Sequence, residues 1–167
     1  MLIALSGLPG TGKTTLSRAL AAERGAAWLR IDAIEQALRA SGALADGVGP
    51  AGYMVGYALA EANLRLGLGV VADCVNPLAI TRSAWRAAAA RAGAPCLEVE
   101  VVCSDPEEHR RRIERREADL PGHRLPGWED VLRLDYESWD TPRLRLDTAG
   151  RTAAQALDAL RVMIAGG

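Results

Sequence analysis

Gly7-Leu8-Pro9-Gly10-Thr11-Gly12-Lys13-Thr14 stands between the apolar run Leu2-Ile3-Ala4-Leu5 and a stretch with helical spacing, Lys13 to Arg24. A chain that ends a short strand in so flexible a loop, and enters a helix at once, has few folds open to it. The pattern G-x-x-x-x-G-K-[S/T] is matched in full, with a strand before it and a helix after it. Gly7, Gly10 and Gly12 let the backbone curl and turn its N–H groups inward. With the helix N-terminus behind them, those groups form an anion site. The pattern predicts a nucleoside triphosphate in the loop, with Leu8, Pro9 and Thr11 completing the cradle. Lys13 reaches its β- and γ-phosphates, the Thr14 hydroxyl ligates Mg²⁺, and Thr15 faces the α-phosphate. The competing account is a strand-to-helix turn that binds nothing.

Further along, short apolar runs alternate with helical stretches. Strands are expected at Leu2–Leu5, Ala27–Ile31, Gly69–Ala72, Leu97–Cys103 and Arg143–Leu146. Helices are expected at Lys13–Arg24, Ala33–Ala40, Ala51–Leu66, Leu78–Ala92, Pro106–Glu117, Trp128–Glu137 and Thr152–Ile164. Such alternation implies an α/β fold with parallel strands, right-handed crossovers and helices on both faces. No internal repeat or linker divides the 167 residues, so one domain over 1–167 is expected. The glycine-rich stretch 41–52 and the stretch Leu120–Gly127 read as loops, suited either to substrate contacts or to plain connection.

Charge narrows the partners. Twenty basic against 21 acidic residues leave a net charge of -1, without the basic excess of a general nucleic-acid binder. No apolar run is long enough to span a membrane, and no signal peptide is visible. Cys74, Cys96 and Cys103 lie in or beside apolar segments without CxxC spacing, which fits small hydrophobes in a reducing cytoplasm.

In parallel α/β sheets, ligands gather beyond the carboxyl ends of the strands. Asp32 and Asp73 stand at two such ends. Phosphoryl transfer needs a metal, positioning, and a base for the acceptor's proton. Asp32 is the candidate base and Asp73 the candidate for the Mg²⁺ shell. Asp32 with Glu35 also reads as a helix-capping pair. Asn76-Pro77 reads as an N-cap followed by proline at the first helical position. Residues 104–117, SDPEEHRRRIERRE, open a helix with a cap, a proline and two acids, then set five arginines along it. Arg112 and Arg116, with Arg115 next, are the candidates to stabilise phosphate charge. Pairs Glu107–Arg111 and Glu108–Arg112 at i, i+4 are the competing use. His109 and His123 fit no metal pattern and are expected at the surface. Trp28, Trp85, Trp128 and Trp139 are expected in packing, as are Tyr53 and Tyr57.

With these residues in view, the chain resembles the small P-loop kinases. Its likeness is to the compact AAA-like ATP-binding family, beside polynucleotide kinase, chloramphenicol phosphotransferase, gluconate kinase and zeta toxin. The likeness rests on Gly7–Thr14, on Asp32 and Asp73, on the arginine-rich helix at Arg110–Arg116, and on Leu144-Arg145-Leu146-Asp147-Thr148. It implies a P-loop NTPase three-layer sandwich: a five-stranded parallel sheet of order 2-3-1-4-5 with a lid at about 105–127. It also implies that Thr148 lies near the adenine. One position departs: the polynucleotide kinases carry a phosphate-gripping arginine three residues after the aspartate of strand two, where this chain has Glu35. An acid there repels a phosphate and favours a neutral or cationic acceptor, although Arg39 stands one turn further on.

The expected activity is ATP- and Mg²⁺-dependent transfer of a γ-phosphoryl group to a hydroxyl of a small molecule. The alternatives are a nucleotide or polynucleotide kinase, a toxin acting on a sugar nucleotide, and an ATP-binding regulatory module without phosphotransfer. No N-K-x-D base-reading motif of GTPases is present.

Overall fold

The computed structural model describes residues 1–44 and 47–166. Ala45 and Asp46, inside the loop expected at 41–52, and Gly167 lie outside the described residues. Five strands form one parallel sheet in the order β2-β3-β1-β4-β5. They are β1 (Leu2–Ser6), β2 (Ala27–Arg30), β3 (Val70–Asp73), β4 (Cys96–Val102) and β5 (Leu144–Asp147). Seven helices connect and cover them: α1 (Lys13–Arg24), α2 (Ile31–Ala40), α3 (Ala51–Arg65), α4 (Ala79–Arg91), α5 (Pro106–Arg115), α6 (Trp128–Arg133) and α7 (Ala153–Gly166).

The central strand explains the three layers. Side chains alternate across a strand. In β1, Ile3 and Leu5 point to one face, where Leu16 and Leu20 of α1 and Ala156 and Leu160 of α7 meet them. Leu2 and Ala4 point to the other, against Ala60 and Leu64 of α3 and Trp85 and Ala89 of α4. Parallel strands covered on both sides read as continuous apolar runs, which is why β1 and β3 stand out in the sequence. β1 pairs with β3 from Leu2↔Val70 to Leu5↔Asp73, so Asp73 ends its strand level with the start of the glycine loop.

Most element ends shift by a residue or two, and four of the shifts bear on the site. α2 begins one residue after β2, and Arg30 occupies the capping position with no side-chain cap. Asp32 is thus inside the first turn and caps nothing, which corrects the capping reading of Asp32 and Glu35. α4 begins at Ala79, not after Asn76. Asn76 is instead a fully buried residue with φ of 53°, whose amide Nδ2 donates to Ser6 Oγ at 2.9 Å. α6 stops at Arg133, short of the Glu137 expected. Arg82 draws that backbone away: its guanidinium donates to the carbonyls of Asn76, Pro77, Glu137 and Ser138. α5 ends at Arg115, and Arg116 turns extended to donate to the Pro126 carbonyl at 3.2 Å.

Candidate active site

The glycine loop takes its shape from close approach. A Cβ at Gly7, where φ is +142°, would lie 2.1 Å from the carbonyl oxygen of Val101. At Gly10, where φ is +82°, it would lie 2.5 Å from Ile113 of α5. Gly12 is the left-handed N-cap of α1, and no side chain caps that helix. The first N–H groups of α1 are therefore open donors at a positive helix end.

A cavity of about 520 Å³ lies against this end. Pro9, Gly10, Gly12, Lys13, Thr14 and Thr15 form its floor. Asp32 and Asp73 reach it from the strand ends, and Arg112 and Arg116 from the arginine-rich segment. Thr11 and Thr148 line an adjoining cavity of about 260 Å³ that shares Gly10, Gly12, Thr15 and Arg112. Gly7 and Leu8 face neither; they line a small cleft under β4. Arg115 is exposed and lines neither cavity.

Electrostatics mark two groups. Lys13 is buried, folds back, and donates from Nζ to the Leu8 carbonyl at 2.8 Å. Burial lowers its pKa, while the carboxylates of Asp73 and Asp32 pull it up. Asp73 is 3% exposed, and burial raises its pKa against the opposing effects of Lys13 and Thr14. Its Oδ2 is buried without a hydrogen-bond partner. A buried carboxylate oxygen left unpaired is costly, so a cation is the natural complement there. Asp73 and Thr14 therefore fit a magnesium site. Among the described residues no cluster of three or more acidic, histidine or cysteine groups could cage a metal alone. Magnesium held by one carboxylate, a hydroxyl, phosphates and water suits that donor set.

The arginines divide their work. Glu108–Arg112 forms at 2.6 Å and Glu107–Arg111 at 3.8 Å. Arg112 also donates to Thr148 Oγ1 and to the Thr148 carbonyl, both at 2.8 Å. Thr148 Oγ1 in turn donates to the carbonyls of Thr11 and Val102 at 3.0 Å. One threonine thus ties α5, the glycine loop, β4 and the exit of β5 together. Arg116 keeps a buried Nε without a partner, and burial lowers its pKa while Asp32 raises it.

Four residues of this region escape sequence reasoning. Arg30 and Asp119 line the large cavity and are joined by two hydrogen bonds at 2.5 and 2.9 Å. His123, expected at the surface, also lines it, with Nδ1 buried and unpartnered. His109, also expected at the surface, is 5% exposed. Its Nε2 lies 2.7 Å from the Pro9 carbonyl, and its ring meets Trp128 edge-on at 5.3 Å. The available signal is i, i+4 spacing: His109 and Ile113 form the one uncharged stripe of α5, and both meet Gly10. Arg30 gives no such signal, because its partner is 89 residues away.

A second cavity of about 320 Å³ opens on the far side of Asp32. It shares Pro9, Asp32, Val75 and Pro126 with the first, and α2, α3 and α6 contribute to its walls.

A parallel 2-3-1-4-5 sheet with a glycine loop running into an uncapped helix is the P-loop NTPase fold. The AAA-domain family profile matches residues 2–133, and the chain belongs to that family. Solved structures agree in fold. A provisionally described kinase from Chloroflexus aurantiacus j-10-fl is 23% identical, with a TM-score of 0.74 over 99% of this chain and 96% of that one. A sugar kinase from Janibacter sp. HTCC2649 is 18% identical, with a TM-score of 0.68 over 98% and 93%. Kti12 of Chaetomium thermophilum, solved with ADP-AlF3, is 22% identical, with a TM-score of 0.68 over 97% and 98%. No curated protein matches the sequence. No helix among the described residues is long and apolar enough to cross a membrane.

Proposed function

We propose that this protein is an ATP- and Mg²⁺-dependent kinase whose acceptor is a hydroxyl of a small molecule. Residues 1–167 act as one kinase domain, with about 105–127 as its lid. The observation that carries this reading is the place of Asp32. Its carboxylate stands on the wall between the cavity of the glycine loop and the second cavity, where a base must stand to serve an acceptor in one and a phosphoryl group in the other.

The chain's groups divide the chemistry. The open N–H groups of α1 and Lys13 hold the β- and γ-phosphates. Thr14 and Asp73 hold magnesium, which neutralises phosphate charge when bound. Asp32 takes the proton of the acceptor hydroxyl as its oxygen bonds to the γ-phosphorus and the bond to the β-phosphate oxygen breaks. Arg112 and Arg116 stabilise the charge that develops on the transferred group. Thr148 fixes Arg112 and borders the cavity suited to the adenine.

A nucleotide or polynucleotide kinase is the second reading. Arg30 favours it: its side chain is 9% exposed, and its Nε is buried without a partner at the larger cavity. A mass-spectrometric screen separates the two. The protein, ATP and Mg²⁺ are incubated with pooled nucleosides, nucleotides, sugars, amino alcohols and antibiotics, with Lys13→Ala as control. A neutral or cationic hydroxyl compound that gains one phosphoryl group only with Lys13 present supports the proposal. A phosphate-bearing product supports the second reading. No product despite ATP binding supports a regulatory module.

A further inference from the structure

The second cavity differs from the first in what lines it. No lysine, arginine or histidine is among its lining residues. Ile31, Val75, Val131 and Leu134 make its apolar walls. Three carboxylates, Asp32, Glu35 and Asp130, make its polar ones. Its volume of about 320 Å³ lies at the small end of ligand pockets.

Each carboxylate keeps capacity to spare. Glu35 Oε2 accepts from Arg39 at 3.0 Å, but the Arg39 side chain is 48% exposed and lies outside the cavity. Glu35 itself is held against α3: a Cβ at Gly52 would lie 2.3 Å from its Cγ. Asp130 Oδ2 accepts from the Gly127 N–H at 2.9 Å, which leaves Oδ1. Burial raises the pKa of Glu35 and the Asp32 charge adds to it, against the opposing pull of Arg39. Tyr53 completes the wall; its hydroxyl accepts from the Asn76 N–H at 2.9 Å, which fixes the ring. An aromatic face beside carboxylates suits a cation. An anion entering here would meet three carboxylates and, among the lining residues, no cationic side chain.

Resting on the kinase reading, we propose that the acceptor is a compact alcohol with an apolar body and a cationic amine. It sits in this cavity with its hydroxyl on Asp32 and its ammonium against Glu35 and Asp130.

The test measures binding, so it does not depend on turnover. Three probes of similar size each carry a phenyl ring and a primary hydroxyl: phenylalaninol is a cation, 3-phenylpropan-1-ol is neutral, and tropate is an anion. Dissociation constants are measured by ligand-observed NMR with a non-hydrolysable ATP analogue and Mg²⁺ present. Phenylalaninol is expected to bind about tenfold tighter than the neutral probe, and tropate weakest. In the double variant Glu35→Gln/Asp130→Asn the amine's advantage falls below about threefold, with the neutral probe unchanged. Asparagine keeps an oxygen for the Gly127 N–H, so α6 retains its start, and unchanged binding of the neutral probe reports an intact pocket. Tropate or a nucleoside monophosphate binding as tightly as the amine overturns the proposal. So does an amine advantage that survives the double variant, or binding by none of the three. Failure of the kinase reading looks different: the binding order holds, yet no hydroxyl compound in the screen gains a phosphoryl group.

Discussion

The two cavities on either side of Asp32 are built by opposite means. The larger combines the open N–H groups of α1 with Lys13, Arg112, Arg116 and other cations, set among the carboxylates of Asp32, Asp73, Glu117 and Asp119. The smaller is made of side chains from α2, α3 and α6, apolar and acidic, with no cation among them. Phosphate is a constant ligand, so its cradle can be written once into eleven consecutive residues, Ser6 to Leu16. A site assembled from distant side chains carries no fixed pattern and can change residue by residue. A fold built in this way can keep one loop while the neighbouring site varies.

The sharpest way to break the comparison is Lys13→Ala. If the larger cavity holds the phosphates, kcat falls about 10³-fold, since Lys13 is its only lysine. Far-UV circular dichroism stays unchanged, because Lys13 lies on the loop side of α1 and bonds to its own loop. Turnover at the wild-type rate would remove the phosphates from this cavity.

Asp32→Asn probes the wall between the cavities. With the base lost, kcat falls about 10²-fold, while ATP-analogue affinity measured by calorimetry changes less than about threefold. The carboxylate caps no helix, so stability falls only by the few tenths of a kcal/mol that an acid in a first turn contributes. A large drop in both affinity and stability would make Asp32 structural.

The comparison also explains what the sequence made legible. Alternation of apolar runs, confirmed by the sheet order, fixed the fold. The glycine loop placed a nucleotide pocket because its residues are contiguous and their geometry is local. Asp73 was visible because strand ends are. Asp32 was visible as the candidate base, and only its rival reading as a cap fails, because one residue decides where α2 starts. Asn76 was misread similarly: Asn-Pro imitates a helix start, yet a buried left-handed turn satisfies the same dipeptide. Arg30–Asp119 and the four-carbonyl grip of Arg82 were invisible, because each joins segments more than 50 residues apart. His109 was misplaced although its i, i+4 spacing to Ile113 carried a signal, and His123 because its short loop segment has no periodicity to show burial.

Arg82→Met tests whether the smaller cavity depends on that distant grip. Arg82 is 1% exposed, and its guanidinium carbon lies 4.2 Å from the Trp139 ring centroid. Methionine fills much of the volume but removes one donor from each of four carbonyls, of which Pro77 keeps the Glu137 N–H at 2.9 Å. Unfolding free energy by urea titration is expected to fall by about 2 kcal/mol. Pro77, one of the four, lines the smaller cavity alone. Acceptor binding should therefore weaken more than nucleotide binding. Equal loss of both would show that the two cavities share one scaffold.

The smallest effect concerns Arg30–Asp119, on the rim of the larger cavity. The Arg30 guanidinium holds the Asp119 carboxyl below its ordinary 3.8. A lowered carboxyl stabilises the folded state above the unfolded value, and that stabilisation is lost as pH falls through the folded one. The relevant window therefore opens near pH 4 and extends downward. Asp119 is 54% exposed, so solvent screens the pair to a few tenths of a kcal/mol despite its two hydrogen bonds. Wild type should exceed Asp119→Asn in stability by about 0.5 kcal/mol at pH 7. The gap should narrow as pH falls below the ordinary 3.8 and vanish once Asp119 is protonated in the folded state too, and it should shrink in high salt. A gap insensitive to both pH and salt would assign the loss to packing of the segment after α5 and not to charge. The rim of the larger cavity would then be held, like the smaller cavity, by side-chain fit.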